Sequence, residues 1–469
     1  MTSITAAANN LNQTLIPHPH PWLLKKQVLV WILHLLYFCS QPATHSHAHA
    51  RRDDAMNECP FVNLLDNDTY AQGMPYDELA RIRAAGPVVK MDDPITGIPY
   101  WAVVRREALD FVSQNPQIFS SAERGPFPME TADGDNAQMM AENFIINMDP
   151  PRHMKYRKVV RDAFTPRAVA AFEPRLREMA KGIIDNIASQ GHCEFIEEVA
   201  AELPLMAILE TLGVPLEDRH QFFHWTNAMA FADDPDVATT EAEAQTASLE
   251  VLLYAHQHAA NQRQNPTSDV VQALLTGAVD GAPISDDMFA WMFMLIMVGG
   301  NESTRSVTSQ GMRLLLEHPQ QLEHLVAHPE DVPDAIEEMV RYNTAFIMMR
   351  RTAMEDVEVC GETIKKGDKV ILHYHAVNHD EDVFGDDAMV FDIHRAKRTD
   401  NLPRQLRSFG VGEHFCLGMN LARMELRIIF EELLPRLRNP KLDGEITYMR
   451  NFFTSTIKAM PITFDPEIK

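Results

Sequence analysis

The stretch FGVGEHFCLG, Phe409 to Gly418, sets one cysteine in a glycine-rich frame. Gly410, Gly412 and Gly418 allow backbone shapes that residues with a Cβ resist, so the loop can lie flat and turn its N–H groups toward a single sulfur. Donors aimed at a thiolate stabilise the anion, and a helix starting just after it, CLGMNLARMELRII, adds the positive end of its dipole. A lone buried cysteine is usually only a small apolar residue, and here no second Cys or His stands at zinc-ligand spacing. A metal held by one protein thiolate needs its other ligands from elsewhere, and a porphyrin supplies them.

The whole chain limits the alternatives. At 469 residues with 45% apolar content it can bury a large core, so disorder is not its default state. Length alone suggests about three domains of roughly 150 residues, but no Gly/Ser-rich or Pro-rich linker divides the chain after residue 56, and one domain over 56–469 is expected. A formal charge of -24 argues against general nucleic-acid affinity, because phosphate backbones are bound by basic surfaces. The five cysteines, Cys39, Cys59, Cys193, Cys360 and Cys416, are odd in number and scattered, which does not fit a disulfide framework. A reducing, cytoplasmic compartment fits better.

Residues 1–55 differ from the rest. LLKKQVLVWILHLLYF places two lysines before an apolar run, yet Val28 to Cys39 is shorter than the roughly 17–25 residues of a membrane-spanning helix. An extension upstream of a true start at Met56, a weak membrane or targeting segment, and a disordered tail all fit it. His45, His47 and His49 are either metal ligands or part of an unliganded polar tail.

From Met56 onward the pattern is mainly helical with small sheets. GIPYWAVV around Pro99 to Val104 and KVILH, Lys369 to His373, read as strands; FEPRLREMAKGIIDNIA and LARMELRIIFEELLPRL read as amphipathic helices. One helix is unusual. After Ser285, a capping residue, and Asp286 and Asp287, which suit a helix N-terminus, the chain runs uninterrupted to Pro319. At about 1.5 Å per residue this helix is roughly 50 Å long. Its first half is apolar on every face, which implies burial, and GGNEST, Gly299 to Thr304, sits at its middle. Each glycine costs roughly 1 kcal/mol inside a helix, and an acid beside a hydroxyl is expensive to bury unpaired. Either the glycines are a packing notch and Glu302 finds an arginine, or something lies against them.

FGVGEHFCLG, continuing to Ala422 and Glu425, resembles the heme-binding signature of the cytochromes P450, and the similarity runs from about Met56 to the C-terminus. The resemblance implies the P450 fold, a long central helix crossing the heme, and heme b as cofactor. It makes Cys416 the axial thiolate ligand of the iron, in a loop with Phe409, Gly410 and Gly418, and His414 a partner of a heme propionate. Glu338 and Arg341 of EEMVRY resemble the family's ExxR pair, which with FDIHR, Phe391 to Arg395, locks the core behind the heme. His153 and Arg157 of DPPRHMKYRKVVRDAFTPR, and Arg351 of RRTAMED, are expected on the propionates, because carboxylates call for cationic hydrogen-bond donors. GGNEST becomes the oxygen-binding kink: Gly299 and Gly300 make room for dioxygen, Glu302 is the catalytic acid, and Ser303 stands where most relatives carry Thr, with Thr304 as the fallback hydroxyl.

The implied activity is insertion of one atom of O2 into a C–H bond. A thiolate favours O–O cleavage, and a positioned acid and hydroxyl feed protons to the site. No flavin or iron-sulfur motif is present, so a separate ferredoxin and ferredoxin reductase are implied as carriers of electrons from NAD(P)H. Lys155, Lys158, Arg161 and Arg167, with Arg423 and Arg427, form a local basic exception in an acidic chain, either a docking face for an acidic ferredoxin or a solvated helix face. NTAFIMMRRTA and NFFTSTIKAMPITF are apolar and Met-rich, and are expected to line a hydrophobic pocket with Ala345, Phe346, Ile347, Met348, Phe452 and Phe453. Both resemble relatives that oxidise steroid side chains, terpenoids or alkyl chains. A monomer is expected. A peroxide-driven peroxygenase, against which the intact acid-hydroxyl pair counts, and a noncatalytic heme-thiolate sensor are the other readings.

Overall fold

In the computed structural model Ser285 caps the long helix as its position demands, its side chain accepting from the Met288 N–H. The structure describes residues 60–130, 143–230, 234 and 240–468, without the side chains of 230 and 241. The extension at 1–55, with its apolar run, its histidines and Cys39, lies outside them, as do Met56 and Cys59. The described residues cluster as one compact unit, and among them no helix is long and apolar enough to cross a membrane.

Eight helices position the site: α1 (Arg152–Arg161), α2 (Glu173–Ile187), α3 (Glu202–Thr211), α4 (Arg219–Ala230), α5 (Glu241–Gln264), α6 (Asp286–Glu317), α7 (Val332–Tyr342) and α8 (Met419–Leu433). Helix α6 is the hub, packed against α3, α4, α5, α7 and α8, while α8 lies along α2. Its apolar first half buries Met288, Phe289, Met292, Phe293 and Met297 in the largest core cluster. The polar second half is buried even more completely, from Thr304 to Leu315. Buried polar groups need partners, and the C-terminal segment supplies them: the Ser306 hydroxyl donates to the Ser455 carbonyl at 2.5 Å, and Gln310 donates to the same oxygen at 3.4 Å.

A five-stranded sheet is built from β1 (Val88–Met91), β2 (Tyr100–Val103), β3 (Phe119–Ser120), β4 (Met348–Ala353) and β5 (Lys369–His373), in the order β1-β2-β5-β4-β3. Only the β2–β5 contact is parallel, with Lys369 opposite Tyr100. Both β2 and β5 are buried along their whole length, which explains the apolar run YWAV of β2 and the Val370–Leu372 centre of β5, whose ends are the buried Lys369 and His373. A smaller antiparallel sheet joins Arg438–Leu442, Pro461–Asp465 and His192–Glu194, tying the C-terminus to the end of α2.

Candidate functional site

Cys416 sits one turn before α8, its N–H donating to the Phe409 carbonyl at 2.8 Å, so the loop closes on itself. Gly410 and Gly412 hold left-handed backbone, φ 71° and 76°, and a Cβ on Gly412 would stand 2.5 Å from the Ser113 carbonyl. Gly418 departs from expectation. Its φ of -83° is open to any residue, and a Cβ there would meet nothing within 4 Å. The Cys416 thiol is raised by burial, against which the backbone N–H groups of Gly418 and Met419 and the charges of Arg157 and Arg423 work to lower it. Yet the residue has open surface. A group both desolvated and accessible faces a recess within the fold instead of bulk water.

Four cationic or potentially cationic side chains gather beside this loop. His153, from α1, lies with its ring centroid 4.1 Å from that of His414. Arg157, one turn further along α1, donates to the Phe415 carbonyl immediately before the cysteine. Arg351, buried on β4, donates to the Arg350 carbonyl at 2.7 Å. Among the described residues no carboxylate forms an ion pair with any of the four. His153 Nδ1 and His414 Nε2 are buried without a hydrogen-bond partner. Burial, then Arg157, pull His153 down to about 4, with Asp149 opposing. His414 is held well below its ordinary value by burial, Arg351, His153 and Arg157, although a backbone bond to Met148 works the other way. Two guanidinium groups without an ion-pair partner, beside two imidazoles whose buried nitrogens Nδ1 and Nε2 lack partners, are unfavourable in a protein interior, so Arg157, Arg351, His153 and His414 call for anionic groups from outside the chain.

On the other side α6 presents GGNEST. A Cβ on Gly300 would stand 2.7 Å from Ile208 Cδ1 on α3, whereas one on Gly299 would meet nothing within 4 Å. The two glycines therefore separate: Gly300 is the packing notch and Gly299 faces open space. The Ser303 hydroxyl donates to the Gly299 carbonyl at 2.8 Å. Glu302 is almost fully buried; Oε1 accepts from the Thr456 hydroxyl at 2.9 Å, while Oε2 lacks a hydrogen bond, with Arg305 Nη1 at 3.5 Å. Burial raises its carboxyl against the lowering effects of Arg305 and Thr456. Thr304 is buried as well.

The family profile described as Cytochrome P450 matches residues 332–452. A steroid C26-monooxygenase of Mycobacterium tuberculosis (strain ATCC 25618 / H37Rv) is 35% identical over 413 residues, covering 86% of this chain and 93% of that protein. The chain belongs to the cytochrome P450 family. Linalool 8-monooxygenase of Pseudomonas putida is 34% identical over 410 residues, 86% of this chain and 99% of its own length. A Mycobacterium marinum cytochrome P450 solved in complex with pseudoionone superposes with a TM-score of 0.77 at 32% identity, covering 89% of this chain and 100% of that one. This P450 is therefore a monooxygenase, and its cofactor is heme.

The residues fit that cofactor. A sulfur facing two backbone N–H groups suits the iron, and the quartet of His153, Arg157, Arg351 and His414, with its two orphaned ring nitrogens, suits two propionates. Nearby, Glu338 and Arg341, both fully buried, pair through two bonds of 2.7 and 2.9 Å, and Arg395 donates to Glu338 Oε1 at 3.1 Å. Arg341 also donates to the carbonyls of Asn378, Ala388 and Val390, and Arg395 to those of Phe384, Asp387 and Val390.

Two expectations change. The basic face is largely neutralised: Lys155 pairs with Asp280, Arg161 with Asp162, Arg423 bidentately with Glu337, and Arg427 with Glu173 and Glu431. Lys158 and Arg167 remain exposed and outside any ion pair among the described residues. In the expected pocket lining, Ile347, Met348 and Phe452 pack in the core cluster with Leu64, Tyr70 and Tyr100. Phe346 and Phe453 instead continue a chain of rings that sequence reading missed, Trp291–Phe144–Phe127–Phe453–Phe346, with neighbouring centroids 5.2–6.4 Å apart. Thr456 was also missed, since nothing in TSTIK distinguishes it from any buried threonine.

Proposed function

We propose that this P450 oxidises a C–H bond of a hydrophobic terpenoid, steroid or alkyl-chain substrate, with Cys416 as axial thiolate and electrons passed from NAD(P)H by a separate ferredoxin reductase and ferredoxin. The observation carrying the assignment is the cluster of His153, Arg157, Arg351 and His414 beside the Cys416 loop, with two buried ring nitrogens left without hydrogen bonds and no carboxylate paired with any of the four among the described residues. When bound, heme supplies the activation of dioxygen, favoured by thiolate ligation.

The remaining work falls to the chain. The N–H groups of Gly418 and Met419 hold negative charge on the sulfur, and Arg157 braces the loop through the Phe415 carbonyl. Glu302 is the proton store, its carboxyl raised by burial and aimed by Thr456. Ser303 spends its hydrogen on the Gly299 carbonyl, so its oxygen accepts from an ordered water and orients it. Gly299, with open space where a Cβ would stand, leaves room for that water. The five-ring chain excludes solvent and offers flat apolar surface, consistent with the substrates named for the linalool and steroid relatives. For the ferredoxin, Lys158 and Arg167, outside any ion pair among the described residues, are the contacts.

A panel of acyclic terpenoids, steroids and alkanes, read as an optical spin-state shift of the heme, tests the assignment. Saturable shifts are expected for members of the panel, weakened by Phe453→Ala. No shift from any of them refutes the substrate class, and retention of the long-wavelength Soret band of the reduced, carbon monoxide-bound protein in Cys416→Ala refutes the ligand.

A further inference from the structure

We propose that His324, Asp331 and His394 form a binding site for one divalent transition-metal ion of the zinc class, a clip on the surface of the fold separate from the heme. The three residues come from three segments: His324 from the helix Pro319–Ala327, Asp331 from the end of the 3-10 turn Pro329–Asp331, and His394 from the position capping the short helix Arg395–Arg398. Their ligand atoms all lie within 4.8 Å of one another. His324 Nε2 is 2.7 Å from Asp331 Oδ2, and the His324 and His394 rings meet edge to face with centroids 4.5 Å apart.

A buried polar atom with no partner calls for an explanation. His394 Nδ1 is such an atom. Two imidazoles and one carboxylate suit zinc and its neighbours rather than calcium or magnesium, with water completing the shell. Tetrahedral ligands around zinc stand about 3.4 Å apart, so the widest pair closes by at most about 1.4 Å while His324 Nε2 and Asp331 Oδ2 open by about 0.7 Å. Each element carries its ligand on a side chain at least partly open to solvent, so ring rotation can supply that movement. His324 Nε2 presents its lone pair once its hydrogen moves to Nδ1.

One cation already competes. Lys397 Nζ lies 2.8 Å from the same Asp331 Oδ2, but its side chain is 50% exposed and can turn into water when a metal arrives. His328, stacked on His324 at 4.6 Å and paired with Glu330, is exposed and close enough to serve as an outer partner. The consequence is mechanical. A metal on His394 pins the residue adjacent to Arg395, which holds Glu338 and three backbone carbonyls, so the ion would reinforce the buried network through its one surface-accessible edge.

The test is calorimetric titration of zinc chloride into the heme-loaded full chain carrying His45→Ala, His47→Ala and His49→Ala, which removes the other histidine cluster. One site of micromolar affinity or better is expected, with a thermal midpoint raised by roughly 2 °C or more under saturating zinc. His324→Ala and His394→Ala should each weaken binding by at least about tenfold and abolish the thermal shift, while Lys397→Met should bind at least as tightly as the parent. Binding only at millimolar zinc, or a site that survives both histidine substitutions, overturns the proposal. A heme optical spectrum unchanged by zinc is expected, and a zinc-induced change in the Soret band would place the ion elsewhere.

Discussion

Thr456→Val removes one hydroxyl and little volume, taking away the bond to Glu302 and a longer 3.3 Å contact with the Thr454 hydroxyl. In the parent, Glu302 is buried with a single hydrogen bond, the 2.9 Å contact from Thr456. That bond favours the ionised carboxylate and so lowers the Glu302 pKa against burial. A hydrogen bond to a charged group contributes about 1.5–3 kcal/mol, so losing it should raise the Glu302 pKa further above its ordinary value. The carboxyl then stays protonated to higher pH, and delivery by an ionisable relay shifts with it. Turnover is to be followed as substrate-dependent O2 uptake and product per NADH from pH 5.5 to 9, with electron supply in excess. The limb of the profile that disappears in Glu302→Gln should move to higher pH in Thr456→Val, while substrate-induced spin-state shifts keep their midpoint concentration. An identical profile in parent and Thr456→Val, with Glu302→Gln also unchanged, would falsify the assignment of Glu302 as the proton store.

Arg351→Met removes one of the four groups proposed to hold the heme carboxylates, and at about 1.5–3 kcal/mol per charge-assisted bond it should speed heme transfer to apomyoglobin on the order of ten- to a hundredfold; a rate within twofold of the parent would show that Arg351 does not hold the cofactor. Glu338→Gln leaves two buried guanidinium groups without their shared carboxylate and should cost about 3–5 kcal/mol, measured by denaturant unfolding, with a loss below about 1 kcal/mol counting against the network. The buried histidines set an acid limit. Burial, with Arg83 adding, depresses His373 to about 3, and burial with neighbouring charges holds His375 and His379 well below their ordinary value. Folded pKa values below the unfolded value of about 6.5 mean full stability above that pH and a progressive loss below it, by about 1.4 kcal/mol per pH unit for each histidine. His375→Phe, at a ring with neither nitrogen hydrogen-bonded, should flatten the fall between pH 6.5 and 4 by about one histidine's share, and an unchanged slope by urea unfolding would refute it.

Local chemistry was legible in the chain; cross-chain partnership was not. The cysteine loop could be read because Gly410 and Gly412 need left-handed backbone and only one sulfur is offered. Ser285 declared the start of α6, and β5 followed from the apolar, β-branched centre of KVILH. Gly299 and Gly300 looked equivalent, and only the position of Ile208 on another helix separates them. Thr456 lies 154 residues from Glu302, and no periodicity links positions that far apart. The basic face was misjudged for the same reason: Asp280, Glu337 and Glu173 come from other elements, so a count of nearby lysines and arginines overstated the charge left over. The aromatic chain draws Phe127 and Phe144 from segments without helical or strand pattern, and pattern is what sequence reading uses.

Arg341 and Arg395 grasp the segment from Asn378 to Val390 almost wholly by its carbonyl oxygens. A carbonyl is the same on every residue, so the clamp recognises the path of the chain and is blind to its spelling. Val390, 51% exposed while its carbonyl accepts from both arginines, should tolerate nearly any side chain in a mutational scan. Glu338, Arg341 and Arg395 should tolerate almost none. Such a division lets the surface of this segment drift freely between related proteins while its path through the fold stays fixed, held by three buried side chains.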